Sequence, residues 1–449
     1  MPKVVSLFCG CGGLDLGFKE AGFDLVYACD SDPAAVDCYF RNVDRNVYLR
    51  DVASEDFHAD IRDTGTCDVV LGGFPCQGFS KAGPKIQDDQ RNRLYVEMRR
   101  AVARLHPSIF VAENVDGIRQ NFGGTYLNRI VADFEEIGYE VDHHILDAAA
   151  YGAPQYRRRV FFVGTPRGGN APFAWPHATH EAATRNGEFR IGDREAPSLF
   201  HGIATGPLRE RRERARTIED AIEDLIQLTP DMPDHMVTHA WPKKYEVVFR
   251  AIRQGQKLCN VRHAASSVYT WRIPAVFGEV TQREILTLET ISRNRRHKRY
   301  GSVPNGNPLS LEEIERLSGE ANLRREIGSL LTKGYLKEIG GKYDLKGAMF
   351  CSGLFKRPKW DEPSPTVLTN FHNPRYFLHP LQDRPFSLRE CARLQSFPDS
   401  FEVTGDGSRV DLVSGYRLIG NAVPPVLSRH IAEAVKRLLV RELASQTAR

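Results

Sequence analysis

Short β-branched runs that end in glycine or an acid, each followed by a helical pattern, recur along residues 1–166. Val4-Val5-Ser6-Leu7-Phe8 is the first run. Cys9-Gly10-Cys11-Gly12-Gly13 turns the chain, and Leu16, Phe18 and Ala21 carry a helix. Leu25-Val26-Tyr27-Ala28 closes on Cys29-Asp30, and Val47-Tyr48-Leu49 leads to Asp51-Val52. Cys67-Asp68-Val69-Val70-Leu71 precedes Gly72-Gly73-Phe74-Pro75-Cys76-Gln77-Gly78-Phe79-Ser80. Ser108-Ile109-Phe110-Val111-Ala112 precedes Glu113-Asn114-Val115, and Val160-Phe161-Phe162-Val163 ends the series. Helical spacing appears at Leu94, Met98, Val102 and Leu105, and at Leu127, Ile130, Phe134 and Ile137. This alternation predicts a doubly wound α/β domain, a parallel sheet with helices on both faces.

The chain has 449 residues, enough for two or three domains. A hydrophobic content of 41% with 26% charged residues suits a water-soluble protein, and no apolar run reaches the ~18 residues of a membrane span. The N-terminus enters a strand pattern directly, which reads as no signal peptide and a cytoplasmic setting. Nine cysteines are scattered without paired metal spacing, so a reducing compartment and no metal are expected. A net charge of +4 neither demands nor excludes nucleic acid.

After Pro166 the alternation stops. Thr217-Ile218-Glu219-Asp220 has the form of a capped helix start. Residues 281–346 carry two more such starts, at Thr281 and Ser310, and a third helical pattern through Leu323, Ile327, Leu330 and Leu331. Gly340-Gly341 then joins two strand-like runs, a hairpin signal. Three helices and a hairpin predict a winged helix-turn-helix. It contains the sharpest basic run in the chain, Arg293-Asn294-Arg295-Arg296-His297-Lys298-Arg299, which suits contact with phosphates. An amphipathic helical pattern with Ile431, Ala434, Val435 and Leu438 on one face closes the chain.

Local chemistry leaves alternatives open at single positions. Cys76 on a Pro-containing loop past a strand end is either an accessible nucleophile or a buried thiol. Asp30 at the end of the second strand is either a ribose acceptor or a helix cap. The ordered set of words narrows these choices. Phe8-Cys9-Gly10-Cys11-Gly12-Gly13, Pro75-Cys76-Gln77, Glu113-Asn114-Val115, Gln155-x-Arg157-x-Arg159, Arg389-Glu390-x-x-Arg393-Leu394-Gln395-x-Phe397-Pro398 and Gly420-Asn421-Ala422-Val423-Pro424 stand in the order of six motifs of a known family. In them the chain resembles the bacterial-type DNA (cytosine-5) methyltransferases. The match covers roughly 1–165 and 363–440. Ala422 departs from the serine often found in the last motif.

The resemblance implies a Rossmann-like, S-adenosylmethionine-dependent methyltransferase domain in residues 1–166, completed by 416–449. It implies a target-recognition domain in 167–415 that includes the winged helix at 281–346. Cys76 would be the nucleophile, Glu113 the acid at N3 of the ring, and Arg159 the cation at O2, with Arg157 in support. Phe8, Gly10 and Gly12 would floor the cofactor pocket, Asp30 would take the ribose, and Asp51 the adenine amino group. Val52 and Leu94 would pack the adenine, and Asn421 would lie near the methionine end. Gln77, Ser80 and Lys81 would close over a flipped base, and Arg293, Arg295, Arg296, Lys298 and Arg299 would grip DNA. The implied partners are duplex DNA and a cognate restriction endonuclease, with the methylase a monomer. Two other readings are an RNA cytosine-5 methyltransferase and a silent DNA-binding regulator. The unmatched middle favours DNA over the first, and joint retention of Cys76, Glu113 and Arg159 disfavours the second.

Overall fold

The computed structural model describes the chain except for residues 76–93, 120–124, 170–171, 182–211, 228–231, 238–240, 261–264, 304–305, 347–351, 405–409 and 448–449. The described residues form two compact units. One comprises 1–236, 361–370 and 387–449, the other 237–360 and 371–386. These boundaries differ from the sequence reading, which divided the chain at 166 and 416. The capped helix Ile218–Ile222 belongs to the first unit because Ile218 bonds Glu362 and Arg393 pairs with Asp224. The helix Leu388–Leu394 belongs there too, since Gln395 at its end bonds the carbonyl of Ile419.

The first unit is built on seven strands in the order β3-β2-β1-β4-β5-β7-β6. These are β1 (Lys3–Leu7), β2 (Asp24–Asp30), β3 (Val47–Leu49), β4 (Val69–Gly72), β5 (Ile109–Val115), β6 (Tyr139–Asp147) and β7 (Arg158–Pro166). Helices α1 (Gly13–Glu20), α2 (Pro33–Asn42), α3 (Glu55–Asp63), α4 (Leu94–Leu105) and α5 (Thr125–Glu135) alternate with the strands. One sheet face, with Val5, Leu7, Val70 and Phe110, packs on Phe57, Met98, Val102 and Phe134 of α3, α4 and α5.

The sheet is not wholly parallel. The strands β3, β2, β1, β4 and β5 pair parallel, but β7 is antiparallel to both β5 and β6. The sequence reading gave no strand at 139–147. The connection from β6 to β7 spans residues 148–157, too short for the helical crossover a parallel pair requires, so the two strands must run antiparallel.

The C-terminal helix Pro425–Thr447 lies along α1. Gly17 permits this approach: a Cβ there would sit 2.4 Å from the backbone nitrogen of Arg429. Strand order reverses between β1 and β4, so the carboxyl ends of these two strands open the crevice where doubly wound sheets bind ligands.

The second unit has its own core. Leu288 and Ile291 of the helix Gln282–Asn294, Ile314 of the helix Leu311–Ser318, and Ile327 and Leu330 of the helix Arg324–Lys333 meet Leu336 and Leu345 of the following hairpin. Thr281 with Glu284 and Ser310 with Glu313 close reciprocal capping boxes, as their spacing predicts. Gly340 and Gly341 take φ of 58° and 74°, the pair of positive values that a two-residue hairpin turn needs. Three helices followed by a hairpin therefore occupy 281–346, the order the sequence predicts.

Candidate active site

The carboxyl edge of the sheet gathers the expected cofactor residues. Just past β1, Phe8, Gly10 and Gly12 have φ of 55°, 56° and 88°. Positive φ is uncommon for phenylalanine, and such backbone clusters at functional sites. Asp30 ends β2. One of its oxygens accepts from the Gly10 N–H at 2.9 Å, the other from the Asp32 N–H at 2.9 Å. Asp30 is not the helix cap: Asp32 caps α2, accepting from Ala34. Burial pushes the Asp30 carboxyl up, and its backbone donors oppose that. Val52 is buried; Asp51 is exposed and accepts from Ala53. Leu94 opens α4 and packs on the core, and Asn421 is exposed at the end of the helix Leu412–Asn421. Arg417 of that helix pairs with Asp32, bringing the helix to the end of β2.

A nucleoside fits these residues. An added Cβ at Gly10 would meet nothing within 4 Å, so open space adjoins the loop beside the two acceptors of Asp30.

The expected catalytic residues that the structure describes lie at β5 and β7, beside the end of β4. Register sets Val115 opposite Arg159 and Glu113 opposite Phe161, so Glu113 and Arg159 are diagonal neighbours on one sheet face. Arg159 Nε lies 2.8 Å from Glu113 Oε1. Burial pushes the Glu113 carboxyl up, while Arg159 and Arg157 pull it down. Gly73, after β4, passes close by: a Cβ there would stand 3.4 Å from Glu113 Oε2. Asn114 donates to the Phe74 carbonyl at 3.0 Å, and so ties the loop that carries Pro75 to the end of β5. No role for Asn114 came from the sequence. The available signal was an amide directly after an acid at the end of an apolar strand.

Arg157 departs from the catalytic set. It is fully buried, and its guanidinium donates to the carbonyls of Val367 (3.0 Å) and Gly420 (2.8 Å). Gln155 accepts from Val367 N–H and donates to Leu394 O, and Gln395 donates to Ile419 O. These side chains bind the C-terminal segments to the approach of β7. The sequence reading gives Arg157 a supporting part beside Arg159; the carbonyls it supports, and the parts of Gln155 and Gln395, come from the structure.

Cys76, Gln77, Ser80 and Lys81 lie outside the described residues. Cys9 and Cys11 are buried, the former's thiol pushed up by burial. Among the described residues there is no cluster of three or more potential metal ligands, and no helix is long and apolar enough to cross a membrane.

In the basic run, Arg296, Lys298 and Arg299 are exposed, and Arg293 pairs with Glu289 at 3.1 Å. Arg295 corrects the sequence reading. It is buried and pairs with Asp344 of the hairpin at 2.8 Å, so it holds the hairpin to the first helix of the trio and is not free for a phosphate.

Fold and site together define a doubly wound α/β enzyme with backbone and carboxylate acceptors gathered at one strand edge and a buried acid–arginine pair. The family model for C-5 cytosine-specific DNA methylase matches residues 2–437. The Type II methyltransferase M.AgeI of Thalassovita gelatinovora is 32% identical over 460 aligned residues, covering 97% of this chain and 99% of its own length. M.DdeI, a Type II methyltransferase of Desulfomicrobium norvegicum, is 31% identical over 445, covering 96% and 88%. A prophage-encoded E. coli protein described as a DNA modification methyltransferase shares the fold, with a TM-score of 0.52 at 22% identity over 98% of this chain and all of that one. The chain belongs to the C-5 cytosine-specific DNA methylase family and is a DNA (cytosine-5) methyltransferase.

Proposed function

We propose that this enzyme methylates C5 of a cytosine flipped out of a specific duplex sequence, through a covalent bond between Cys76 and C6, as the modification half of a restriction–modification system. The buried Glu113–Arg159 pair at the ends of β5 and β7 carries this reading. S-adenosylmethionine supplies the electrophilic methyl group when bound. Phe8, Gly10, Asp30, Asp51, Val52, Leu94 and Asn421 would hold it.

The protein's own groups meet the rest of the chemistry. C5 of cytosine is a poor nucleophile, and thiolate addition at C6 makes the ring an enamine; once C5 carries the methyl group, loss of the C5 proton to a base and expulsion of the Cys76 thiolate from C6 restore the ring. Cys76 follows Pro75 in the sequence, and Asn114 tethers Phe74 just before them. Addition places negative charge on the N3/O2 side of the ring. Burial keeps the Glu113 carboxyl ready to share a proton with N3, and the Arg159 guanidinium neutralises charge at O2. Flipping the nucleotide exposes C5 and C6, which the base stack otherwise hides.

Bisulfite sequencing of a plasmid and host genome from expressing cells tests the reading. Protected cytosines in one short recurring motif support it, together with their loss in Cys76→Ala. Protection that survives in Cys76→Ala sinks the covalent mechanism. No protection with wild-type enzyme moves the substrate to RNA, with tRNA assayed next.

A further inference from the structure

The helix Arg324–Lys333 is the third of the trio and the one that leads into the hairpin. Its buried residues, Ile327 and Leu330, face the core of the second unit. Arg324, Arg325, Gly328 and Thr332 are exposed. At 100° per residue these four fall within one arc of about 100°, a single outward face.

That face is poorly suited to the protein alone. Gly328 sits in the interior of the helix, where glycine is among the weakest helix formers. Nothing in the fold requires it: an added Cβ would meet nothing within 4 Å. Arg324 and Arg325 occupy the first turn, where the helix dipole disfavours cations. Among the described residues no carboxylate pairs with either. The two nearby acids, Glu320 and Glu326, pair with Arg283 instead. Lys337 and Lys342 on the adjoining hairpin are also exposed. Positive charge around a bare backbone point, on a helix that the fold leaves uncovered, suits a polyanion that comes close.

The geometry points to this face as the element that enters the major groove of the substrate duplex, with Gly328 at the closest approach and Arg324 and Arg325 reaching base edges or flanking phosphates. A helix after a tight turn in a helix-turn-helix unit is the element that fits a groove about 12 Å wide. The exposed members of the 293–299 run would then act outside the groove. This inference rests on the reading of duplex DNA as substrate.

The test uses the full-length enzyme and the site found by bisulfite sequencing. Gly328→Leu should fold as well as wild type or better, because the site has room and leucine is the stronger helix former. Circular dichroism and Tm check this, and S-adenosylmethionine binding checks the first unit. Methylation of the cognate duplex by Gly328→Leu should nevertheless fall about tenfold or more in kcat/KM, through KM. Arg324→Ala and Arg325→Ala should each weaken binding of the cognate duplex about tenfold, and a base-contacting arginine should also relax discrimination at one position. Wild-type kinetics and unchanged site preference in Gly328→Leu and the Arg324→Ala/Arg325→Ala double variant would overturn the groove assignment while leaving the methyltransferase reading intact. Failure of the wild-type enzyme to methylate any duplex would overturn both.

Discussion

In two arginine-rich stretches, the approach to β7 and the run 293–299, neighbouring arginines part company. Along the strand they part by alternation. Arg157 is buried on backbone carbonyls, Arg158 is half exposed beside Asp116, and Arg159 turns back to Glu113. At the helix end they part by rotation. Arg293 and Arg296 face outward while Arg295 is buried against Asp344. The difference teaches that a basic run carries more than one role at once: the local period turns Arg158 away from Arg157 and Arg159, and Arg295 away from Arg293 and Arg296, while distant partners separate Arg157 from Arg159. The two regions also ground their buried charges differently. Arg157 is met by neutral carbonyls that close the C-terminal segments onto the sheet, and Arg295 by a carboxylate.

Removal of Arg157 should have the largest effect on stability. Arg157→Ala leaves the carbonyls of Val367 and Gly420 without their donor and opens a cavity, at a cost of about 4–6 kcal/mol. Denaturant unfolding measures the loss. Hydrogen exchange should show the segments around 367 and 420 loosening first. If Arg157→Ala instead kept full stability and lost only methyl transfer, Arg157 would belong with Arg159 at the substrate.

Arg295 should respond differently to paired replacement. Arg295→Met leaves the buried Asp344 carboxylate with only Lys337 at 4.0 Å, costing about 3–5 kcal/mol, whereas Arg295→Met with Asp344→Leu should return to within about 1–2 kcal/mol of wild type. Recovery on double substitution marks a charge pair. A double variant as weak as the single would mean that the hydrogen-bond geometry of Arg295, rather than its charge balance, holds the hairpin.

The sequence made much of this legible, for a physical reason. Motif residues sit at strand ends, where β-branched runs stop, so Glu113 and Asp30 could be placed before any coordinates. Capping boxes at Thr217, Thr281 and Ser310 are local chemistry and were equally visible. What stayed hidden depends on contacts distant in sequence. The pairing of Arg295 with Asp344 spans 49 positions and that of Arg157 with Gly420 spans 263, and no local period reports either. Strand β6 has no continuous apolar run like those of the central strands; its signal is the alternation of Tyr139, Val141 and Ile145 with polar Glu140, Asp142 and His144, as suits a strand at the sheet edge.

A buried acid with only neutral partners gives a third kind of grounding. Asp15 in α1 is fully buried and accepts from the Tyr39 hydroxyl at 3.1 Å, and burial raises its pKa to about 6. An unfolded aspartate titrates near 3.9. The native state therefore binds the proton more tightly. The stability contribution is complete below pH ~4 and is lost as pH rises through about 6. Asp15→Asn should remove about 2–3 kcal/mol from the difference in unfolding free energy between pH 4 and pH 7. Urea titrations at several pH values would show it. An unchanged pH slope would mean that Asp15 stays ionised in the fold.

The smallest effect on stability should come from the outward members of the basic run, and it separates them most cleanly from Arg295. Arg296 and Lys298 are exposed, so Arg296→Ala and Lys298→Ala should each change stability by no more than about 0.5 kcal/mol. Their role, if they meet phosphates, lies in counterion release. Each substitution should lower the slope of log affinity against log salt by about 1 and weaken all duplex sequences alike. Binding measured across a salt series on cognate and scrambled duplexes distinguishes the cases. A changed preference between the duplexes would move these residues into the groove. An unchanged slope would leave the run as a solvated face, and the grip on DNA would then fall to the helix and hairpin beside it.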